Sequence, residues 1–357
     1  MQSEPMTTAA EEPVASALVR VEGLTVHYPI RAPLFSRARA VVHAVDDVSF
    51  EIRPGETLGL VGESGSGKST AGLAVLRRVP ITGGTVEFEG RDVTGLEGAE
   101  LRRWRRHAQM IFQDPYASLN PRMRIGQVIA EPLIVHGVAR AGSAEVEHRV
   151  HELLRLCGLP SDTVERYPHA FSGGQRQRVA IARALALNPR LVVADEPVSA
   201  LDVSIQAQVV NLMKELQEML GVSYLFISHN LAVVQAIADR IAIMYAGKLV
   251  EIAAVADIYQ HAYHPYTQAL LSAVPIPDPE IERTRRRIVL KGGVPNPSKP
   301  PAGCRFHGRC PYAQERCATE VPELRAVSPS QRVACHFAED IAAKRIVADD
   351  RPSPARG

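Results

Sequence analysis

The stretch Gly62-Glu-Ser-Gly-Ser-Gly-Lys-Ser-Thr70 constrains this chain more than any other. It fits G-x-x-x-x-G-K-[ST], follows the apolar run Thr57-Leu-Gly-Leu-Val61 and precedes a helical stretch, Ala71 to Leu76. Glycines let the backbone curl so that successive N–H groups face inward, and the helix start adds partial positive charge. Lys68 is placed to neutralise β- and γ-phosphates, and the Ser69 hydroxyl to complete a Mg²⁺ shell. A nucleoside triphosphate is the ligand this loop predicts, with Gly62, Ser64, Gly65, Gly67, Lys68, Ser69 and Thr70 around its phosphates.

Such a loop belongs on a sheet. Leu191-Val-Val-Ala194 and Tyr224-Leu-Phe-Ile227 have the continuous apolar character of strands buried on both faces. Between them Ile205, Val209, Leu212, Met213, Leu216 and Leu220 recur at helical spacing, and Asp202 or Ser204 suits the N-cap. Short β-branched runs alternate with helical stretches from Leu18 to about Glu251, which predicts one α/β unit with no long-period repeat. The strand Leu191 to Ala194 runs into Asp195 and Glu196, at the strand end where open α/β sheets bind ligands. One carboxylate can hold Mg²⁺ and the next can orient a water and accept its proton.

Charge narrows the partners. Lys and Arg total 41 against 39 Asp and Glu, a net +2, so no strong field draws the chain to nucleic acid. No apolar run approaches the ~18 residues that span a bilayer, and Glu4, Glu11 and Glu12 are unlike a secretory leader. A cytoplasmic protein is expected. In a near-neutral chain, Arg102-Arg-Trp-Arg-Arg106 reads as a solvated helix face before the Ile111-Phe112 strand, and Arg283 to Arg287 as surface.

The segment Phe171-Ser-Gly-Gly-Gln-Arg-Gln-Arg178 adds a second helix start, capped by Ser172, whose free N–H groups suit phosphate. One triphosphate does not need two such ends, which hints at a site completed by a second subunit. At these residues the chain resembles the ATP-binding cassette family, whose signature motif is this Ser-Gly-Gly-Gln stretch. The resemblance implies an α/β cassette fold with a helical subdomain at about 114–188. It makes Gly62 to Thr70 the Walker A loop, Leu191 to Glu196 Walker B, Gln113 the Q-loop, Asp202 in Ser199-Ala-Leu-Asp202 the D-loop, and His229 the switch histidine. Implied roles follow. Glu196 polarises the hydrolytic water; Asp195, Ser69 and Gln113 hold Mg²⁺; Lys68 binds phosphate; His229 contacts the γ-phosphate and water; Tyr28 stacks on adenine. Ser172, Gly173, Gly174 and Gln175 would act in trans, on ATP held by the opposite subunit.

Gln113-Asp-Pro-Tyr-Ala-Ser-Leu-Asn-Pro-Arg122, Pro197 to Gln208, His264-Pro-Tyr-Thr-Gln-Ala-Leu270 and Gly303-Cys-Arg-Phe-His-Gly-Arg-Cys-Pro-Tyr312 resemble the peptide-importer branch, its second ATPase subunit type. That implies 18–260 as the ATP-binding domain and 261–340 as a small irregular C-terminal domain, with loose tails at 1–17 and 341–357. It also implies two membrane permeases, a paralogous second ATPase, an extracytoplasmic solute-binding protein and a place on the cytoplasmic face of the membrane. The function expected is ATP-driven uptake of dipeptides or oligopeptides. The alternatives are a soluble cassette ATPase of DNA repair or translation, which usually needs a coiled-coil insertion or a second cassette, and an inactive scaffold, which needs a missing catalytic group.

Cys304, Cys310, Cys317 and Cys335 cluster late in the chain, while Cys157 stands apart as a core thiol. Their spacing, Cys-x5-Cys-x6-Cys-x17-Cys, lacks the Cys-x-x-Cys knuckles of zinc ribbons. Four thiolates can hold a [4Fe–4S] cluster, as the resemblance suggests for some relatives. Zinc, with His307 or His336, and free thiols are the competing readings.

Overall fold

The computed structural model describes residues 17–30, 41–275, 278–284, 287–346 and 348. Almost all of the expected N-terminal tail, the stretch Arg31 to Ala40 and most of the expected C-terminal tail therefore lie outside the described residues. Among the described residues twelve strands form two sheets. Four of them, β1 (Val19–Pro29), β2 (Val41–Ile52), β4 (Gly83–Phe88) and β5 (Arg91–Asp92), make an antiparallel sheet in the order β2-β1-β4-β5. The other eight are β3 (Thr57–Val61), β6 (Ala108–Ile111), β7 (Leu191–Asp195), β8 (Ser223–Ser228), β9 (Arg240–Tyr245), β10 (Lys248–Ala254), β11 (Arg325–Ser328) and β12 (Gln331–Val333). Their order is β11-β12-β10-β9-β3-β8-β7-β6, parallel from β9 to β6 and antiparallel from β9 outward to β11.

The parallel strands are apolar throughout because side chains alternate between two cores. Tyr224 and Phe226 enter the larger core, shared with the helical region, while Leu225 and Ile227 enter the core beneath the antiparallel sheet. Val192 and Ala194 divide from Leu191 and Val193 in the same way. Helix α1 (Lys68–Val75) lies between the sheets, its Ala71, Ala74 and Val75 fully or almost fully buried. The expected single α/β unit is thus accompanied by an antiparallel sheet of residues 19–92. Its strands alternate buried and half-exposed positions and carry bulges, so they lack the apolar runs that made the central strands visible.

Helix α2 (Gly98–Trp104) precedes β6, and the chain from β6 to β7 is helical: α3 (Pro115–Ser118), α4 (Ile125–Val135), α5 (Ala144–Leu156) and α6 (Gly173–Ala184). The arginine run is a solvated face only in part: Arg102 and Arg103 on α2 are exposed, while Arg105 and Arg106 beyond it are half-buried. Trp104 is buried, and Arg102, Arg105 and Arg106 donate to the carbonyl oxygens of Val135, Arg77 and His136, tying α2 to the end of α4 and the turn after α1. Helix α7 (Val203–Leu220) carries the expected stripe, with Val209, Leu212, Met213 and Leu216 buried, but Leu220 at its end is exposed. Asp202 occupies its N-cap without a side-chain capping bond.

Beyond α8 (Leu231–Ile237) come α9 (Val255–Gln260) and α10 (Pro265–Ala273). His264 caps α10, Nδ1 accepting from Tyr266 N at 3.1 Å, and complete burial pushes its pKa down to about 3. The main sheet continues across the 260/261 boundary, for β12 pairs with β10 from Glu251 opposite Val333 to Ala253 opposite Gln331. Cys157 closes α5 in the core, where burial pushes its thiol up to about 12.

Candidate active site

The carboxyl ends of β3, β7 and β8 are in register, Val61 beside Ser228 and Ile227 beside Asp195, so the segments that follow these strands meet. Gly62 to Gly67 curls between β3 and α1. A Cβ on Gly62 would sit 2.1 Å from Met244 O, and one on Gly67, at φ 101°, 2.1 Å from Ala44 O. Only glycine fits where the loop touches β9 and β2 this closely. Lys68 is buried, and its Nζ donates to Gly62 O at 2.8 Å and Glu63 O at 2.9 Å. Burial lowers its pKa, an effect opposed by Glu196, Asp195 and Glu63. Two loop carbonyls thus satisfy the ammonium in place of an anion. Ser66 is also buried, its Oγ 3.5 Å from Lys68 Nζ; it was absent from the sequence-derived set, whereas Ser64 and Gly65 are exposed at the loop tip.

Ser69 Oγ donates to Asp195 Oδ1 at 2.9 Å. Burial raises the Asp195 pKa, as expected of a carboxylate placed where a cation would normally balance it. Glu196 follows with φ 46°, a left-handed backbone that costs an L-residue about 1–3 kcal/mol. That turn carries the carboxylate away from the strand axis to two partners: Gln113 Nε2 donates to Oε2 at 3.1 Å, and His229 Nδ1 lies 3.1 Å from Oε1. Gln113 comes from the loop after β6 and His229 from the loop after β8. Four segments far apart in sequence therefore converge on one edge of the sheet.

The Ser172 turn is organised differently. Ser172 and Gln175 form a reciprocal capping box, Gln175 N to Ser172 Oγ at 3.3 Å and Ser172 N to Gln175 Oε1 at 3.0 Å. Among the described residues this turn shares no hydrogen bond with Gly62 to Thr70. Its glycines instead let α6 close on α7: a Cβ on Gly174 would sit 2.5 Å from Ile205 Cγ2, and one on Gly173 3.2 Å from Leu201 Cδ2. Asp202 is exposed beside them. Tyr28 is half-buried near the end of β1, opposite Val42, two residues before the Ala44 carbonyl that abuts Gly67.

The four late cysteines lie close enough to influence one another's titration. Burial raises the pKa of Cys304, Cys310 and Cys335, and each also feels other cysteines of the set; Cys335 reaches about 12. The two candidate histidine ligands are engaged elsewhere, His307 Nδ1 with Cys304 O at 2.7 Å and His336 Nε2 with Glu320 O at 3.1 Å. Sequence reading missed what joins this segment to the phosphate loop. Arg309 grips the Glu63 carboxylate with both Nη atoms, at 2.8 and 3.1 Å, and Tyr266 Oη accepts from Glu63 N at 2.9 Å. Arg309 beside Cys310 is plain in the sequence, but nothing there pairs it with a residue 246 positions earlier.

Comparison with known proteins agrees with this geometry. Residues 45–199 match the family model described as ABC transporter, and residues 250–317 that of the oligopeptide/dipeptide transporter C-terminal region. The chain is 53% identical over 318 residues to a putative peptide import ATP-binding protein of Brucella ovis, covering 89% of this chain and 97% of that protein. It is 50% identical over 333 residues to the oligopeptide transport ATP-binding protein AppF of Bacillus subtilis, 93% and 99% of the two chains. Its fold is similar to the dimeric structure of a post-hydrolysis state of the ATP-binding cassette MJ0796 bound to ADP and Pi. That likeness has a TM-score of 0.59 and 29% identity over 66% of this chain and 98% of the other.

Proposed function

This chain belongs to the ABC transporter family, and from that premise we propose that it is the ATP-hydrolysing subunit of an importer of dipeptides or oligopeptides. The observation that carries the reading is the convergence of the phosphate loop, Asp195, Glu196, Gln113 and His229 at one sheet edge. The peptide substrate rests on the two relatives and on the match at residues 250–317. A scaffold cassette would lack a catalytic group, whereas Lys68, Asp195, Glu196 and His229 are all present in this sequence. The soluble repair or translation ATPase finds no counterpart among these relatives.

The loop N–H groups and Lys68 bind the β- and γ-phosphates, and Tyr28 stacks on the base. Ser69, Asp195 and Gln113 are oxygen donors of the kind Mg²⁺ takes, and when bound the ion neutralises charge on the β/γ oxygens. Glu196, held by Gln113 and His229, orients the attacking water and takes its proton as the terminal P–O bond breaks. His229 with Nδ1 protonated donates to Glu196 and leaves Nε2 to accept from a water proton; a bond from Nε2 to the γ-phosphate needs the imidazolium, which donates from both nitrogens. Ser172 to Gln175 and Asp202 complete the site of a second ATPase, a paralogue, and this chain's own ATP is completed by that partner's signature turn.

Between α4 and α5 lies a cavity of about 670 Å³ lined by Gly126, Ala130, Ile134, Val146 and Val150, with Ile134 and Val135 exposed at its edge. It is where we place one of two permeases, close in sequence to Gln113 through α3. Among the described residues no helix is long and apolar enough to cross a membrane, which fits a peripheral subunit on the cytoplasmic face. An extracytoplasmic solute-binding protein delivers the peptide, and nucleic acid has no role.

We further assign the four late cysteines to a [4Fe–4S] cluster. A single zinc, at about 2.3 Å from each sulfur, would bring its ligand sulfurs to roughly 3.8 Å of one another. Among the described residues only His27, His43 and Asp46 have three ligand atoms within 4.8 Å. The four thiols lie near enough to feel one another's charge, and four thiolates are the ligand number a [4Fe–4S] cluster takes.

The test is uptake. Liposomes holding the complex with its permeases, second ATPase and binding protein should accumulate a radiolabelled dipeptide when ATP is inside, and Lys68→Ala should abolish it. Undiminished uptake by Lys68→Ala, or ATP turnover without uptake of any di- or oligopeptide, overturns the proposal.

A further inference from the structure

The phosphate loop is held from behind by the cysteine segment. Phe306, buried between Cys304 and Cys310, packs against Tyr245 and Tyr266 with ring centroids 5.1 and 5.4 Å away. From that anchor a single helical turn, His307–Arg309, presents Arg309 to the loop. Its side chain is 11% exposed and its guanidinium makes the two-pronged contact with Glu63, while Tyr245 Oη lies 3.4 Å from Nη1. Four residues earlier, Arg305 donates to Ala246 O and to Asp46 Oδ2. The turn Ala246–Gly247 in turn pairs with the loop itself, Gly247 N donating to Ser66 O at 2.9 Å, and with β2, Asp46 N donating to Gly247 O at 2.9 Å. Arg309 thus bonds Glu63 of the phosphate-binding curl directly, and Arg305 is linked to Ser66 only through the Ala246–Gly247 turn.

We propose that Arg309 and Arg305 are positioning residues of the nucleotide site, and that through them a disturbance at the four thiols is felt as a change in ATP affinity. The proposal rests on the reading of Gly62 to Thr70 as the ATP site. A planar guanidinium bonding both carboxylate oxygens fixes Glu63 in direction as well as distance, which a lysine cannot do. Glu63 N is fixed by Tyr266, so backbone and side chain of the residue at the mouth of the loop are both set by the C-terminal region. The Lys68 ammonium leans on Glu63 O, so a shift of Glu63 moves the group meant for phosphate. Cys310 follows Arg309 directly, and its N donates to His307 O within the turn that aims the guanidinium.

The experiment measures the equilibrium Kd of a fluorescent ATP analogue, with KM and kcat, on the full-length chain. Arg309→Ala should raise Kd roughly tenfold, the cost of one charge-assisted contact, and raise KM more than it lowers kcat. Arg309→Lys should recover only part of the loss. Glu63→Gln should weaken binding in the same direction, and adding it to Arg309→Ala should cost no more than Arg309→Ala alone. Cys310→Ser should raise Kd in the parent but not further in Arg309→Ala. Parent-like Kd in Arg309→Lys and Glu63→Gln, additive losses in the pair, or an unchanged Kd in Cys310→Ser would each overturn the proposal. A parent-like Kd in Lys68→Ala would instead overturn the assignment of the ATP site.

Discussion

Replacing Glu196 by glutamine removes a charge while keeping the shape. The amide oxygen still accepts from Gln113 Nε2, and the amide NH₂ can donate to His229 Nδ1 in its other tautomer. The left-handed φ of 46° strains glutamine as it strains glutamate, so the variant adds no backbone cost. Fold and nucleotide binding should therefore persist, and the loss should fall on the chemical step. Losing a positioned base costs about 10²–10⁴ in rate, or roughly 2.7–5.5 kcal/mol on the barrier. Phosphate release at saturating Mg-ATP should fall by that factor while the Kd for ATP stays near the parent value. In the complex, ATP should then hold the two ATPase subunits closed, seen as protection of Ser172→Cys from a thiol reagent. Turnover within about threefold of the parent would remove Glu196 as the base. A parallel loss of ATP binding would mean that the carboxylate organises the site rather than acting on water.

Two further outcomes rest on packing and burial. Gly174→Ala places a methyl 2.5 Å from Ile205 Cγ2, so overpacking should cost about 1–3 kcal/mol in chemical denaturation, and Ile205→Ala in the same chain should recover much of it. His264 stays neutral in the folded chain down to about pH 3, whereas unfolded histidine takes a proton near 6.5. The unfolded state thus binds more protons between those values, and the stability this residue supplies is full above 6.5 and falls as pH falls. Between pH 7 and pH 5 the loss should be on the order of 2 kcal/mol. His264→Asn, which keeps an acceptor for Tyr266 N, should flatten that limb of a urea-melt profile against pH.

What could be read in advance follows how locally each feature is encoded. The central strands announced themselves because residues such as Leu225 and Phe226 face two different cores, leaving no polar position in the run. The phosphate loop was legible because its glycines answer to a local backbone curl. Ser172 as an N-cap was legible for the same reason, its capping partner Gln175 lying three residues on. The antiparallel sheet was not, since strands such as β1 owe their pairing to residues on another strand, 33 positions away for Val19 opposite Ile52, and to bulges that break alternation. The arginines of α2 misled because near-neutral overall charge says nothing of which carbonyls a guanidinium reaches. Gln113 and His229 could be named only through the family resemblance; no local pattern aims either side chain at Glu196, 83 and 33 residues away.

The pairing of β12 with β10 has a consequence for how much of the polypeptide must be present at once. Until residues 331–333 arrive, β10 offers water an open rank of backbone donors and acceptors, beside side chains such as Val250 and Ile252 that are buried in the finished molecule. Such an unclosed border invites strand addition from another molecule. A chain cut ahead of Arg325 would keep every group assigned above to the proposed ATP site and still be expected to self-associate, so the last hairpin acts as a selvedge that keeps the sheet's weave from running on into a neighbour.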